Sequence, residues 1–528
     1  MENALSGSKM DTSGVMKKMC EPGFLVKIMK PKPNKLIYPI FVVLILAFGL
    51  FSTCGKNRLK TDEKALAKQI LTEEQQLAHE AGLRAEREKQ LADSIAKLPK
   101  GFRFPESRNI DSQNPPVIID IIGNRKNPQK IKLSQLFSKV EYIRLEQNQV
   151  SAEFLLGTRY IVAPNHIYVT SGRGSIFQFD RKGHFICTVC TGNLQFTNYN
   201  GGMMVSKEQS DLFEGAQGAY WNGDKLCYQY ENRPAQKSYL VTFDDEITQG
   251  ASGLQLPETV ESKNQINGSG KILTELKKDP SVYSTPTPYL LGNNSLAFAQ
   301  RRKRAEQTAN FINVVSVTGD TLCEFQDNDP IRNFSKSTYR GVDDGDAYYI
   351  NGTLYLRQSF NDTIYQLVPP NRLVPKYILD FGDLGIQSAL EGIDPGVSLK
   401  EKLILQDFLE INRYIFITYS KDYSCPNTAK QGTLKYSRLV YDKKSRTLTS
   451  IYIDEAPFTP EGKMAWPKAP DLNIENDLDK MPFKWPESVT AGGQPFSTFS
   501  GKELLKQKNP NFPLQNISEN DRIIAIYF

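Results

Sequence analysis

A chain of 528 residues is longer than one ordinary domain, although a single β-propeller can occupy about 400 residues. Its 39% hydrophobic and 23% charged residues suit a folded body with a large core, and 24 Tyr with 28 Phe lean toward β-structure, where flat side chains pack on pleated surfaces. The net charge of +6 is small for this size, so composition gives no reason to expect a nucleic-acid partner. Seven scattered cysteines, an odd number without regular spacing, are not a disulfide framework. Only His79, His166 and His184 are available for a metal site or a His-based triad.

The first element is an uncharged apolar run, Leu36 to Thr53, of 18 residues. That length spans a bilayer core and also suits a long signal h-region. Lys30, Lys32 and Lys35 precede it and hold the N-terminal side in the cytoplasm, although Lys56, Arg58 and Lys60 follow closely. The run ends in Phe51-Ser-Thr-Cys54-Gly55. Small residues before a cysteine resemble a bacterial lipobox, in which Cys54 would be lipidated. Phe51 and Thr53 stand where Leu and Gly or Ala are preferred. A start at Met29 would turn the same stretch into a compact lipoprotein signal. The competing reading is an uncleaved transmembrane anchor with an incidental cysteine. Both readings place the rest of the chain in the periplasm or at the cell surface. Residues 1–35 are then a cytoplasmic tail or signal n-region, and 36–54 the transmembrane or lipoprotein signal segment.

Residues 55–100 read as a polar helical spacer. Thr61 to Lys97 is dense in Ala, Leu, Glu, Lys, Gln and Arg. Thr61 can cap the helix, and Pro99 lies beyond its end. Arg84 and Glu88 interrupt the apolar seam of Ile70, Leu77 and Leu91, so a sustained coiled coil is not expected.

From residue 115 to 528 the pattern changes to short β runs separated by turns. His166–Thr170 leads to Ser175–Asp180, a turn at Arg181-Lys-Gly183, and Phe185–Val189. Comparable groups are Lys225–Tyr230 with Tyr239–Asp244, Ser295–Ala299 with Ile312–Val317 and Leu322–Phe325, Thr353–Leu356 with Asp362–Leu367 and Lys376–Asp380, and Tyr414–Thr418 with Arg438–Asp442 and Leu448–Ile453. These are five hairpin-rich units, each too small to bury both faces alone. A ring of four-stranded antiparallel blades covers those faces. A sixth unit would use Phe496–Phe499 and Arg522–Phe528, with Pro116–Asp120 or Lys139–Leu145 joining the ends of the chain. The expected fold is all-β, a six-bladed β-propeller preceded by a membrane anchor and a helical spacer.

Four stretches carry a family resemblance: Lys132–Leu145, Phe360–Tyr365 with Val374–Gly382, Asn476–Asp479 with Pro482-Phe-Lys-Trp-Pro486, and Ile523–Phe528. The chain resembles six-bladed β-propellers related to the NHL and TolB types, common as envelope lipoproteins in Gram-negative bacteria. The resemblance covers roughly residues 115–528 and contains no catalytic motif. The loop from Thr191 to Gly202 lacks the Gly-Pro of that family, so a ligand contact in that loop does not carry over.

Candidate chemistry is sparse. Cys187-Thr-Val-Cys190 has CxxC spacing but lies in a strand, where the two side chains face opposite ways, and not at the helix N-terminus that a reactive thiolate needs. His184 beside it leaves a zinc site without a fourth ligand. Acidic clusters at Asp327–Asp329, Asp343–Asp346 and Asn476–Asp479 suit turns, and could also offer oxygens to Ca. Arg301, Arg302, Lys303 and Arg304 form a basic run, read as a solvated hairpin tip or as a contact for an acidic partner or lipid head group. Asp93-Ser-Ile95, Asp320-Thr-Leu322 and Asp362-Thr-Ile364 fit a loose O-glycosylation pattern. There is no P-loop, Rossmann fingerprint, nucleophile elbow or His-Glu-x-x-His. No residue is assigned to catalysis, to a resident metal or to a cofactor. The expected role is a membrane-anchored binding or scaffold module for a protein or glycan. The alternative is a metal-assisted hydrolase or lyase working in the propeller channel.

Overall fold

The apolar runs become strands because alternate residues enter two different cores. Along Tyr414–Lys421, Phe416 joins one buried cluster while Ile415 and Ile417 join another. Such a strand is covered on both sides, so it reads as continuously hydrophobic. A computed structural model describes residues 79, 82–83, 86–99, 101–125, 127–147, 159–193, 197–199, 202–204, 211–245, 271–276, 287–291, 295–299, 310–326, 346–357, 361–385, 402–421, 436–453, 472–506 and 513–528. Residues 86–95 are helical. A compact unit spans Glu88–Phe528. Among the described residues no helix is long and apolar enough to cross a membrane; the apolar run 36–53 lies outside them.

In chain order, β1 (Val117–Asp120), the short α1 (Ile121–Asn124), β2 (Ile131–Lys132) and β3 (Val140–Leu145) precede the blades. Blade one is β4 (Arg159–Val162), β5 (His166–Thr170), β6 (Ile176–Asp180) and β7 (Phe185–Cys190). A small hairpin of β8 (Thr197–Tyr199) and β9 (Gly202–Met204) follows. Blade two is β10 (Glu214–Trp221), β11 (Lys225–Asn232), β12 (Lys237–Asp244) and β13 (Lys271–Glu275). Blade three is β14 (Pro288–Leu291), β15 (Ser295–Ala299), β16 (Asn310–Ser316) and β17 (Thr321–Gln326). Blade four is β18 (Asp346–Ile350), β19 (Thr353–Arg357), β20 (Thr363–Val368) and β21 (Arg372–Asp380). Blade five is β22 (Leu403–Glu410), β23 (Tyr414–Lys421), β24 (Tyr436–Asp442) and β25 (Thr447–Tyr452). After β26 (Ile474–Glu475), blade six is β27 (Ser488–Val489), β28 (Pro495–Ser500) and β29 (Arg522–Tyr527), with α2 (Gly501–Leu505) between the last two. Its fourth strand is β3, paired antiparallel from Arg522↔Leu145 to Tyr527↔Val140. The fold is a six-bladed β-propeller closed by strands from both ends of the ring.

Each of the six seams between blades has its own core. Ile524 and Ile526 of blade six meet Ile167, Val169, Phe177 and Phe179 of blade one, which is the packing that closes the ring. At the seam of blades five and six, Phe416, Val440 and Ile451 meet Phe499, Ile523, Ala525 and Tyr527. Burying one such side chain is worth about 1.5–3 kcal/mol.

Residues 103–132 wrap the rim. The Phe104 amide donates to Leu322 O at 2.7 Å, Arg103 pairs with Glu324 at 2.9 Å and the Gln326 amide donates to Glu106 at 2.7 Å, all on blade three. Ser107 then bridges to Arg372 of blade four, and β1 lies parallel on the outer strand β21. Ser450 Oγ of blade five donates to Asn124 O at 2.5 Å, and the Gln129 amide donates to Ser450 O at 2.8 Å. Finally β2 pairs with β26, and Ser134 donates its amide and hydroxyl to Asp477 at 2.9 and 2.6 Å. This belt passes blades three, four and five in order before β3 enters blade six. Of the two strands offered for joining the ends, β3 does so, while Val117–Asp120 extends blade four.

Candidate functional site

Cys54 and the basic run Arg301, Arg302, Lys303 and Arg304 lie outside the described residues, as do residues 327–329. Cys187 and Cys190 lie on β7 as free thiols. Burial raises both thiols, Cys190 to about 12, so neither is a thiolate at neutral pH. His184 is exposed and hydrogen-bonds Asp180 at 2.9 Å, within its own turn. The acidic group at Asn476–Asp479 is occupied by the chain. Asp477 accepts from Ser134, and Asp479 accepts from Tyr142 at 2.9 Å and from the Met481 amide at 2.9 Å. Among the described residues, no group of three or more His, Cys, Asp or Glu converges so as to hold a metal ion.

The five most deeply buried carboxylates of the described residues, Glu214, Glu231, Asp245, Glu410 and Asp521, are engaged by the chain's own donors. Glu214 accepts from Tyr230 at 2.5 Å and from Asn232 at 3.1 Å. Glu231 pairs with Arg233 at 3.3 Å. Asp245 of blade two takes the Asn165 amide at 2.7 Å, His166 Nδ1 at 2.9 Å and the Tyr168 hydroxyl at 2.8 Å, all from blade one. Glu410 of blade five takes the Tyr377 hydroxyl of blade four at 2.5 Å and Lys443 at 2.8 Å. Asp521 takes Gln147 at 2.6 Å and the Ser518 amide at 2.9 Å. Burial, reinforced by the adjoining carboxylate, raises the Tyr168 and Tyr377 phenols, which stay neutral donors. Two of these groups, Asp245 and Glu410, pin one blade to the next.

The first strands of the blades line the axis, and three of them meet in a tyrosine cluster. Tyr220 of β10 stacks on Tyr349 of β18 at 5.5 Å between ring centres, and both touch Tyr289 of β14, at 5.3 and 6.2 Å. The free edge of β14 would expose unpaired backbone. Tyr220 covers it by donating to Pro288 O at 2.6 Å and accepting from the Leu290 amide at 2.8 Å, while Tyr349 donates to Leu290 O at 2.8 Å. A Cβ on Gly223 would fall 3.0 Å from the Gly352 Cα, so the inner turns of blades two and four meet over blade three through glycines.

Blade five presents a second arrangement at the axis. Its first strand carries a bulge between Leu405 and Asp407, a device that re-aims side chains and is over-represented beside active sites. Arg357 of blade four holds the bulge from behind, donating to Leu405 O at 2.8 Å and to Gln406 O at 3.1 Å. The strand register sets Asp407, Thr418, Arg438 and Tyr452 in one row across the blade. Arg438 shares its strand face with Val440, which faces blade six. Its guanidinium stands 5.2 Å from the Trp485 ring and 5.7 Å from the Tyr436 ring, and it donates to Thr418 Oγ1. Burial pulls Arg438 below the ordinary guanidinium range, while the Asp407 charge opposes the shift. Arg438 Nε and the indole N–H of Trp485 are both buried and both lack a hydrogen-bond partner. Trp485 is only 8% exposed. Sequence reasoning noted Trp485 only as a family signature and missed Arg438. The available signal was an arginine in the core-facing register of an otherwise apolar strand.

Similarity to known proteins is distant in structure. A member of the DUF4221 family from Bacteroides vulgatus is 11% identical with a TM-score of 0.34, over 74% of this chain and 98% of that one. A catalytically inactive virginiamycin B lyase from Staphylococcus aureus, with quinupristin, is 9% identical with a TM-score of 0.25, over 74% of this chain and 100% of that one. The dihydro-heme d1 dehydrogenase NirN, in complex with DHE, is 12% identical with a TM-score of 0.21, over 58% of each chain. No curated protein matches the chain. The sequence does match a family profile over residues 99–509, and the chain belongs to that family, described as Domain of unknown function (DUF4933).

Proposed function

We propose that this chain is a membrane-tethered, extracytoplasmic propeller of the NHL/TolB-like kind, serving as a binding or scaffold module for a protein or glycan. One observation carries the reading. The most deeply buried carboxylates and the axial tyrosines are spent on the fold itself, each with donors or acceptors from the chain. Recognition is then left to loops and seams. The uncharged run 36–53 supports a tether, ending at Cys54 as a lipidation site or continuing as a transmembrane anchor. Arg301, Arg302, Lys303 and Arg304 supply a basic run for an acidic partner.

Two measurements test this. Intact mass of the chain extracted from membranes with detergent should show either added acyl mass on a chain beginning at Cys54 or a retained apolar segment. A chain of full length recovered entirely without membranes would refute the tether. Binding of the detergent-solubilised chain to a glycan array, and quantitative cross-linking in envelope extracts, should return a saturable ligand. Capture no greater than that of the heat-denatured chain would refute the binding role.

A further inference from the structure

Several arginines of the described residues have obvious counter-charges. Arg103 pairs with Glu324, Arg233 with Glu231 and Arg413 with Asp442. Arg357 is buried with two backbone carbonyls. Arg438 is arranged differently from these. It lies between the rings of Tyr436 and Trp485 with one hydrogen bond, to Thr418, and no carboxylate within ion-pair distance. Taking a guanidinium out of water without a paired anion costs several kcal/mol. Stacking on two rings returns about 0.5–2 kcal/mol each, which is not enough. A second unmet donor, the Trp485 indole N–H, comes from the opposite side of the same seam. Two buried donors on neighbouring blades, with a full positive charge between aromatic walls, form a half-built acceptor site. The guanidinium carbon stands 5.2 Å from the Trp485 ring centre, so both donors belong to one contact across the seam.

Deepening the binding role proposed above and resting on it, we infer that the seam between blades five and six is a carboxylate-binding site. The ligand carboxylate would accept from Arg438 Nε and from the Trp485 indole. A guanidinium favours a carboxylate over a neutral amide because charge-assisted hydrogen bonds are roughly twice as strong. Asp407, on the bulged inner strand, sets a limit on the ligand: its charge disfavours a second anionic group toward the axis. A monocarboxylate, such as a peptide C-terminus or an acidic sugar, fits better than a dicarboxylate.

The test uses the full chain in detergent at pH 7.5. Sodium acetate is titrated against acetamide, with sodium chloride holding the ionic strength constant. Tryptophan emission is read as the difference between the unsubstituted chain and Trp485→Phe, and the thermal midpoint is followed in parallel. Acetate should change the Trp485 emission saturably and raise the midpoint, while acetamide does neither. Arg438→Gln should abolish both responses. Trp485→Phe keeps the ring but loses the donor, and should weaken the acetate-dependent midpoint shift about tenfold in apparent affinity. Equal responses to acetate and acetamide, or an undiminished acetate response in Arg438→Gln, would overturn the site. If Arg438→Gln does not fold, Trp485→Phe decides, and an unchanged acetate shift in that variant overturns the site. A chain that ignores acetate yet still captures a saturable ligand refutes this site and leaves the binding role standing. A response to acetate without any capture refutes the broader role instead.

Discussion

Asp362 immediately precedes β20 and feels the charge of the arginine that holds the bulge of blade five, and its titration should be visible in stability. Burial raises its carboxyl from an ordinary 3.8 to about 7; Arg357 opposes the shift and Asp380 adds to it. The raised value sets the sign. Between pH 4 and pH 7 the folded chain holds a proton that the unfolded chain has released, so stability falls as pH rises through this window and levels off above it. At about 1.4 kcal/mol per pH unit, the interval bounds the loss at about 4 kcal/mol. The side chain keeps some solvent exposure, so about 2 kcal/mol is the expected size. Asp362→Asn imitates the protonated form. It should leave stability unchanged near pH 4.5 and raise it by about 2 kcal/mol at pH 8, read from urea unfolding of the full chain in detergent. Arg357 keeps its two carbonyl acceptors in the variant. A variant whose stability runs parallel to the unsubstituted chain from pH 4.5 to 8 would refute the argument, and so would one destabilised at pH 8.

Other consequences follow from buried groups. Tyr220→Phe leaves the Pro288 carbonyl and the Leu290 amide unmet at the axis, and should cost about 2–4 kcal/mol in urea unfolding. Phe416→Ala opens the core between blades five and six and should cost about 3–5 kcal/mol, with the midpoint falling and the urea slope unchanged. Burial holds Cys190 and Cys227 at about 12 and Cys323 at about 11, so all three should resist iodoacetamide at pH 7.5 in the folded chain and react fully in urea, as read by peptide mass spectrometry. Ile119→Asp puts a charge into the core beneath β1 and should release amide protection over residues 117–124 while β3 and β29 stay protected in hydrogen exchange.

How far the sequence disclosed this fold depended on which strand of a blade was in question. The second and third strands read clearly, and His166–Thr170 and Ser295–Ala299 are strands with those same bounds. They are buried between two blades and therefore dense in β-branched and aromatic residues. The first strands were missed in every blade. Those at the axis need close approach more than bulk. Strand β10 carries Gly215 and Gly218 and a bulge, β14 begins at Pro288, β22 is bulged, and β27 is two residues long. Glycine, proline and bulges erase the period-two pattern by which strands are recognised. The seam of Arg438 and Trp485 was hidden for a related reason. The two residues are 47 positions apart in the sequence, and only the stacking of blades brings them together.

The belt bears on how the ring stays closed under a pull from its N-terminal side. In a propeller closed by strands from both ends, pulling on one end would strip the closing strand first. Here the chain reaches β3 only after attaching to blades three, four and five, through Phe104 and Leu322, through β1 on β21, and through Gln129 and Ser450. The exposed ion pair of Arg103 and Glu324 adds little, at about 0–1 kcal/mol. The strength lies in backbone pairing and in buried Ile119 and Ile121. These attachments act in series, so tension arriving from the N-terminal side meets the rim of blade three before it reaches the pairing of β3 with β29. A propeller tethered in the way proposed above would gain from carrying its chain around the rim: the fastening that closes the ring is the last to feel the load.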